Sequence, residues 1–336
     1  MDIKDAIGNV VNHMDLSEDE MRQVMTQIMT GHATPTQIGG FLAGLRAKRE
    51  TVTEITAAAR VMRELSLHVQ VEVDHLVDTC GTGGDERRLF NVSTAAAFVV
   101  AAAGGHVAKH GNRSMSSKSG SADLLEAMGI PLELPPQRVA ECIAKVGIGF
   151  MFAPAHHPAA RYAALPRREL GTRTMFNLLG PLTNPAGAPN QLLGVFSDRW
   201  VEPMAWVLKS LGSRHVLVVH SEDGYDEISL AAPTHVCELK DGKVVNYTFK
   251  PEDVGIRRQP LDSLQVNSAE ESLALTREAL SGKPGPAQDM VVLNAGAALY
   301  AADVAATLTE GVDLARRVIL DGAAERKVQE LVEATR

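Results

Sequence analysis

The stretch GTGGDERRLFNVST, residues 81–94, follows the apolar run HLVD (75–78) and places three glycines within four residues, followed by an aspartate. Glycines at this density lose much conformational entropy on folding, so a compensating interaction is expected. Backbone N–H groups that approach an anion closely supply such an interaction. The stretch therefore predicts a strand, a glycine turn and a helix that begins near NVST (91–94), with an anion bound at the turn.

This glycine turn does not match the common nucleotide-binding fingerprints. A dinucleotide fingerprint read from Gly81 needs glycine where Glu86 stands, and no Gly-Lys-Ser/Thr follows as in a P-loop. The free N–H groups of the helix start, with the hydroxyls of Ser93 and Thr94, would contact a phosphate. The alternative is a plain cap in which Asn91 or Ser93 caps the helix, and these residues alone favour neither interpretation.

From about residue 72, short β-rich runs alternate with alanine-rich helical stretches. The runs are HLVD, HVAKHG, GIGFMFA, QLLGVFS and HVLVVHS, and the helical stretches include STAAAFVVAAAGG, SADLLEAMG, HPAARYAA and VEPMAWVLKSLG. This alternation predicts the α/β class, with a mainly parallel central sheet flanked by crossover helices and ligands at the carboxyl ends of its strands. Residues 235–249 predict a hairpin that turns at Asp241-Gly242, and the chain is expected to be helical from about residue 268.

Residues 1 to about 70 predict a group of helices. Ser17 with Glu20 forms a capping-box pattern, Thr34 precedes a proline at the first helical position, and Thr51 with Glu54 repeats the cap signature. The glycines in residues 39–44 indicate that neighbouring helices approach closely there.

The overall composition is that of an ordinary globular protein. The 336 residues are 45% hydrophobic and 22% charged, with a net charge of −8, which argues against binding to nucleic acid or to an anionic membrane. The three cysteines, Cys80, Cys142 and Cys237, have no metal-type spacing, so buried free thiols in a reducing compartment are expected. The N-terminus lacks signal-peptide features, and the longest apolar region is about half of the roughly 20 residues of a membrane span, which favours the cytoplasm.

A second polar loop, KHGNRSMSSKSGSAD (109–123), follows the apolar run HVA. It carries three cations and several serines, a density of phosphate-binding groups that exceeds the needs of a surface loop. Lys109 and Arg113 would neutralise charge, while the serine hydroxyls and backbone N–H groups would donate hydrogen bonds. The alternative, a solvated polar loop, is disfavoured because a helix follows at once.

Two further segments carry candidate chemistry. EDGYDE (222–227) places four carboxylates after a strand, which suits Mg²⁺, although an acidic surface turn is the alternative. FAPAHHP (152–158) has no third ligand at a spacing that suits zinc. Arg167 and Arg168 would bind a carboxylate or, alternatively, cover the surface of the helical domain.

Several of these motifs together resemble one family. GTGGD (81–85), KHGNR (109–113), FAPAHHP (152–158) and the long block RRELGTRTMFNLLGPLTNPA (167–186) are similar to the anthranilate phosphoribosyltransferases of tryptophan biosynthesis. The resemblance runs through nearly the whole chain, and the KHGNR block carries most of its specificity. It implies transfer of the phosphoribosyl group of 5-phosphoribosyl-1-pyrophosphate (PRPP) to the amine of anthranilate, with release of pyrophosphate.

The resemblance also implies the site residues. Those for PRPP are Gly81, Gly84, Asp85, Leu89, Asn91, Val92, Ser93, Thr94, Lys109, His110, Gly111, Asn112, Arg113, Ser114, Met115, Ser116, Ser117 and Ser121. Those for anthranilate are Gly81, Asn112 and Arg167, with His110 and His157 along its entry path. Those for Mg²⁺, with two ions expected per monomer, are Ser93, Asp226 and Glu227. No general base is assigned, because the anthranilate amine already carries a free lone pair.

The domain organisation implied by the resemblance is a helical domain of residues 1–71 with a later excursion near 165–187, and an α/β PRPP-binding domain of residues 72–164 and 188–336. A homodimer through the helical domain is expected, and any glutamine amidotransferase (anthranilate synthase) partner would be a separate chain. Two positions depart from the family pattern: Leu89 replaces a usual threonine, and HPAAR (157–161) replaces HPAMK.

Two rival functions share this architecture. A pyrimidine nucleoside phosphorylase would not need the Asp226–Glu227 pair, and its glycine-rich block differs from KHGNR. A nucleic-acid-binding relative would need a basic groove, which the net charge of −8 disfavours.

Overall fold

The computed structural model describes residues 1–83, 88–113 and 119–336, in which helices surround one mixed sheet. The helices are α1 (Ile3–Val11), α2 (Glu18–Met29), α3 (Pro35–Lys48), α4 (Val52–Glu64), α5 (Val92–Ala102), α6 (Ser121–Ala127), α7 (Pro136–Val146), α8 (Ala153–His156), α9 (Arg161–Leu170), α10 (Phe176–Leu179), α11 (Val201–Ser210), α12 (Ala269–Leu280), α13 (Pro286–Ala301), α14 (Leu308–Leu320) and α15 (Ala323–Ala334). Among these residues, no helix combines the length and the apolar character that a membrane crossing requires.

The strands form one sheet in the order β3-β2-β1-β4-β5-β6-β7. They are β1 (Leu76–Gly81), β2 (His106–Gly111), β3 (Ile148–Phe152), β4 (Asn190–Gly194), β5 (His215–Ser221), β6 (Thr234–Lys240) and β7 (Lys243–Phe249). The pairs from β3 to β5 are parallel, whereas β5–β6 and β6–β7 are antiparallel. The predicted α/β class, with a small helical domain and a mainly parallel sheet, is confirmed.

The predicted hairpin is also present. It turns at Asp241 and Gly242, whose φ angles are 50° and 72°. Positive φ at both central residues is typical of the two-residue turn that matches the twist of the strands, and Asp-Gly adopts it at little cost.

The three predicted helix starts near the N-terminus are confirmed. Ser17, Thr34 and Thr51 each accept a hydrogen bond from the N–H of the third helical residue. The side-chain oxygens of Glu20, Gln37 and Glu54 in turn accept from the N–H of the cap residue. Each capping box satisfies N–H groups that a helix start leaves without partners, and it therefore fixes where the helix begins.

The expected close approach of helices at glycine occurs at one position. A Cβ added to Gly44 on α3 would lie 2.6 Å from the Val10 side chain of α1, so only glycine fits there. The expectation is wrong for Gly39, where nothing lies within 4 Å.

The core of the helical region continues onto the sheet. One cluster of buried residues includes Met25 and Phe41 from the N-terminal helices, Leu179 from α10, Met204 from α11, and Val218 from β5. A separate cluster on the opposite face packs α5 and α13 against the same sheet. The sheet is therefore covered on both faces, as a largely parallel sheet requires.

The alternation in the sequence missed α7. The crossover between β2 and β3 contains α6 and then α7, whereas the sequence pattern indicated one helical stretch. Pro135 and Pro136 obscure the start of α7, and Gly147, at φ 90°, ends it. Prolines at a helix start are compatible with helix because the first N–H groups need no partner.

Candidate active site

Three adjacent strands end in glycine at one edge of the sheet, and the segment that carries Asp226 packs against two of these ends. A Cβ added to Gly194 would lie 1.6 Å from the Asp226 carbonyl oxygen, and a Cβ at Gly81 would lie 2.5 Å from Asp226 Oδ2. A Cβ at Gly111, at the end of β2, would lie 2.2 Å from Ser121 Oγ. The glycines therefore keep this edge open so that polar groups from other segments reach the strand ends.

The acidic segment divides into two parts. Glu222 Oε1 lies 3.4 Å from His235 Nε2, and Asp223 Oδ2 accepts a 2.7 Å hydrogen bond from the Ser229 hydroxyl. Asp226 instead reaches the glycine turn, where its Oδ2 accepts a 2.9 Å hydrogen bond from the Gly83 N–H. The alternative of an acidic surface turn thus fits Glu222, which is exposed, but not Asp223, whose Oδ1 is buried, or Asp226.

The start of α5 contradicts the plain-cap alternative. Asn91 occupies the cap position, but its side chain makes no capping hydrogen bond. Its Oδ1 accepts hydrogen bonds from the hydroxyls of Ser119 at 2.9 Å and Ser272 at 2.7 Å. Thr94, three residues on, has a fully buried Oγ1 with no hydrogen-bond partner among the described residues. Asn91 therefore joins the end of the second polar loop to the start of α5 and leaves the N–H groups of that helix start without a side-chain cap.

Lys109 lies beneath this helix start rather than on the surface. Its side chain is buried, and Nζ donates to the Thr79 carbonyl at 2.5 Å and to Ser93 Oγ at 3.4 Å. Burial lowers the pKa of Lys109, and the carboxylates of Asp78 and Glu227 oppose that shift. Lys109 is thus hydrogen-bonded to Ser93 and interacts electrostatically with the Glu227 carboxylate.

The second polar loop contributes residues of two kinds. Ser121 Oγ donates to the Asn112 carbonyl at 3.3 Å, which holds the end of β2 against α6. Arg113 forms ion pairs with two carboxylates of α6, and its NH1 atom lies 2.8 Å from both Asp123 and Glu126. Of the two predicted cations, only Lys109 therefore lies within the buried part of the site.

His110 and His157 form a pair of buried imidazoles. Their ring centroids are 5.0 Å apart, and His110 Nδ1 lies 3.2 Å from the Gly180 carbonyl oxygen. Burial lowers the pKa of His110 to about 3 and that of His157 to about 4, so both rings are neutral at physiological pH. The Nε2 atom of each has no hydrogen-bond partner among the described residues. The two neutral rings form a polar but uncharged surface, which is called the histidine wall below.

Arg167 lies on α9 and stacks on an aromatic ring. Its guanidinium carbon is 5.0 Å from the centroid of Phe176, and burial lowers its pKa. The neighbouring Arg168 is exposed. A stacked guanidinium keeps a fixed plane, which suits bidentate binding of a carboxylate.

Backbone hydrogen bonds hold the segment around Leu89, the residue that replaces the family's usual threonine. Phe90 N–H donates to the Leu264 carbonyl at 3.0 Å, and Val266 N–H donates to the Arg88 carbonyl. The Leu89 side chain packs on the main core cluster, and Val92 is buried. Leucine therefore serves a packing role at this position. The remaining predicted residues, Gly84, Asp85, Ser114, Met115, Ser116 and Ser117, lie outside the described residues.

The residues fit a hard cation. No group of three or more His, Cys, Asp or Glu side chains suited to a metal occurs in residues 1–83, 88–113 and 119–336. Asp226, Glu227 and the Ser93 hydroxyl are oxygen donors, and Gly81 leaves space for the Asp226 carboxylate. So few protein ligands leave most positions to water and phosphate oxygens, which is the usual way in which proteins hold Mg²⁺.

Sequence reasoning missed a buried polar layer below the site. Asp78 and Asn184 are 1% and 6% exposed and hydrogen-bond each other, and Gln191 donates to the Cys80 thiol. A signal was available at Asp78, because an aspartate inside an apolar strand run needs a buried partner. Of the three free thiols, Cys142 and Cys237 are buried as expected, whereas Cys80 is half-buried; the pKa of the Cys80 thiol is raised by desolvation, which disfavours a reactive thiolate.

Comparison with known proteins places this architecture in one class. Residues 4–66 match the helical bundle domain of a glycosyl transferase family, and residues 73–325 match its a/b domain. The chain thus belongs to this glycosyl transferase family.

Full-length relatives define the family more closely. The chain is 62% identical to the anthranilate phosphoribosyltransferase of Thioalkalivibrio sulfidiphilus, over 100% of this chain and 99% of that protein. It is 61% identical to that of Marinomonas sp., over 100% and 98% of the two chains. The chain therefore belongs to the anthranilate phosphoribosyltransferase family.

Solved structures agree with this placement. The crystal structure of anthranilate phosphoribosyltransferase from Thermus thermophilus has a TM-score of 0.93 and 47% identity, over 98% of this chain and 99% of that chain. The enzyme from Saccharomyces cerevisiae in complex with PRPP and Mg shares the fold, with a TM-score of 0.90 and 24% identity, over 99% and 97% of the two chains.

Proposed function

We propose that the protein transfers the 5-phosphoribosyl group of PRPP to the amine of anthranilate, giving N-(5′-phosphoribosyl)anthranilate and pyrophosphate, a step of tryptophan biosynthesis. The observation that carries this function is the contact between Asp226 and the glycine turn, in which the Gly83 N–H donates to Asp226 Oδ2 at 2.9 Å. This contact joins a carboxylate to a turn that leads into an uncapped helix start.

Asp226, Glu227 and Ser93 are proposed to hold Mg²⁺, with two ions per monomer. When bound, the metal neutralises charge on the pyrophosphate and so favours its departure. The protein supplies the rest of the phosphate site: the Ser93 N–H at the start of α5 binds an oxygen, since the Val92 and Thr94 N–H groups donate to backbone carbonyls, and the Lys109 ammonium lies directly below Ser93. These groups are in place before the reaction, so they need little reorganisation as charge develops.

In this reaction the bond between the anomeric carbon and the pyrophosphate oxygen breaks, and a bond to the anthranilate nitrogen forms. The nitrogen then loses a proton. Arg167 is proposed to bind the anthranilate carboxylate, with Asn112 and Gly81 beside the ring and the neutral His110–His157 wall along the entry path. Catalysis rests on positioning and charge stabilisation, and no side chain is assigned as a general base.

The arrangement of the chain is part of the same proposal. We assign residues 1–71 and 165–187 to the helical domain, and residues 72–164 and 188–336 to the α/β domain. A homodimer through the helical domain is supported by exposed apolar side chains there, such as Val11 at 61% and Met14 at 48% exposure. We also propose that the protein is cytoplasmic and that any amidotransferase partner is a separate chain.

Loss of anthranilate fluorescence in the presence of PRPP and Mg²⁺ tests this function. We expect Arg167→Ala to raise the anthranilate KM and Asp226→Ala to lower kcat/KM strongly, because each removes the charge assigned to one ligand. Arg168→Ala is the matched control, since this neighbour is exposed and outside the site. Equal effects of Arg167→Ala and Arg168→Ala would contradict the assigned acceptor site.

A further inference from the structure

The backbone ladder between strands β1 and β2 ends before the site. β1 pairs with β4 from Val77 to Gly81, but its register with β2 consists of Leu76–His106 and Val77–Val107. β2 remains paired with β3 from Val107 to Gly111. The break in the ladder is therefore specific to the boundary between β1 and β2, at the carboxyl ends where the site lies.

Side chains satisfy the backbone groups where the ladder is broken. The Asn184 amide donates to the Ala108 carbonyl at 2.8 Å, and Asp78 Oδ1 accepts from the His110 N–H at 3.3 Å. The Thr79 carbonyl accepts from Lys109 Nζ. The Asn184 amide also donates to Asp78 Oδ2 at 2.8 Å, so the two side chains act as one unit. Buried backbone groups need partners, and these contacts supply them in place of a regular ladder.

We propose that Asp78 and Asn184 are positioning residues of the transfer reaction: together they take the place of the missing ladder hydrogen bonds between β1 and β2 and thereby fix Lys109 and His110 in the site. This inference rests on the proposed function for its consequence in catalysis. Asp78 binds the backbone of His110, which follows Lys109 directly. Without the pair, the Ala108 carbonyl and the His110 N–H would lose their partners, and the segment that places Lys109 below Ser93 would no longer be fixed.

Burial supports an active role for this pair. Asp78 is 1% exposed and Asn184 is 6% exposed, so both polar side chains have left water. A pair of apolar residues at a continuous strand boundary would avoid that desolvation cost. Asn184 also lies just beyond the turn that contains Gly180, whose carbonyl oxygen is 3.2 Å from His110 Nδ1. The pair thus connects β1, β2 and the turn behind the histidine wall.

Asn184→Ala is the decisive variant, and Asn190→Ala is its matched control. Asn190 is also a buried asparagine, 2% exposed, whose amide donates to a β1 carbonyl, that of Leu76, at 3.0 Å. It lies at the opposite end of β1, away from the site. Both variants lose a buried amide that bridges to a neighbouring strand, so both are expected to lose stability.

Two measurements separate positioning from stability. Backbone hydrogen exchange of residues 108–111 reports the strand boundary directly, and the kinetic constants report its effect on the reaction. We expect Asn184→Ala to accelerate exchange there and to raise the PRPP KM about tenfold or more, with Asn190→Ala within about twofold of the parent in both. A loss of folded enzyme alone would lower kcat and leave KM unchanged.

The outcomes are distinct. Unchanged exchange and unchanged PRPP KM in Asn184→Ala, or equal effects in the two variants, would overturn the inference. If the parent enzyme did not consume anthranilate, the proposed function would fail, and the exchange comparison would still decide whether the pair fixes residues 108–111 of β2. Asp78→Asn places an amide opposite the Asn184 amide and should reproduce the Asn184→Ala pattern; if it is too unstable to purify, Asn184→Ser provides the second test.

Discussion

The Oδ2 atom of Asp226 lies where a side chain at residue 81 would begin, 2.5 Å from the Cβ position of Gly81. The same oxygen accepts a hydrogen bond from the Gly83 N–H, so the backbone two residues after Gly81 fixes the position of the carboxylate. Glycine at position 81 is therefore required by the proposed metal ligand rather than by the backbone angle of the strand.

Gly81→Ala should displace the Asp226 carboxylate and weaken Mg²⁺ binding. We expect the Mg²⁺ concentration for half-maximal activity to rise about tenfold, because a contact of 2.5 Å forces the carboxylate to move. Gly39→Ala on α3 is the control, since nothing lies within 4 Å of its Cβ position. An unchanged Mg²⁺ dependence in Gly81→Ala would show that Asp226 does not hold the metal.

Stability should fall in mild acid because of the histidine wall. His110 and His157 have folded-state pKa values of about 3 and about 4, below the ordinary value of 6.5. Between the folded and the ordinary values the unfolded chain binds more protons, so the free energy of unfolding decreases as pH falls through 6.5. Each histidine contributes a loss of about 2 kcal/mol between pH 7 and pH 5.

Urea unfolding at pH 7 and pH 5 measures this loss. His110→Gln should reduce the difference between the two pH values, while His13→Gln, at an exposed position, should leave it unchanged. An identical pH dependence in the parent and in His110→Gln would mean that His110 is protonated in the folded protein.

Leu89→Thr restores the residue usual in the family. Because Leu89 packs on the core cluster, we expect the free energy of unfolding to fall by about 1 kcal/mol. The PRPP KM should change by less than about threefold, since backbone contacts to residues 264–266 hold the segment. A PRPP KM at least tenfold lower in the variant would show instead that the parent lacks an important contact.

Glu54 should be the most sensitive charged residue of the helical region. It is fully buried, and it accepts from Leu16 N–H and Lys48 Nζ, each at 2.9 Å. Glu54→Ala leaves the Lys48 charge without this buried partner and should cost about 3 to 5 kcal/mol of unfolding free energy. Glu64→Ala removes an exposed ion pair with Arg22 and should cost less than about 1 kcal/mol. Equal costs in thermal or urea unfolding would contradict the burial argument.

The sequence was sufficient where local rules decide the structure. Capping boxes at Ser17 and Thr51, the turn at Asp241-Gly242 and the alternation of strands with helices all depend on neighbours in the chain, and all are present. The motifs identified the family, and the comparisons confirm it.

The parts that the sequence did not predict depend on distant contacts. Whether Asn91 caps its own helix or binds Ser272 is decided by a segment 181 residues away. The Asp78–Asn184 pair joins residues 106 positions apart, and Arg113 pairs with carboxylates on α6. Side-chain orientation of this kind follows from packing, which a motif does not contain.

The most direct test of the central claim measures three quantities in one reaction: anthranilate consumed, pyrophosphate released and the mass of the product. With PRPP and Mg²⁺ present, we predict equal molar amounts and a product that joins anthranilate to the phosphoribosyl group. Release of pyrophosphate without consumption of anthranilate would show that the protein acts on PRPP with another acceptor, and would contradict the proposed transfer.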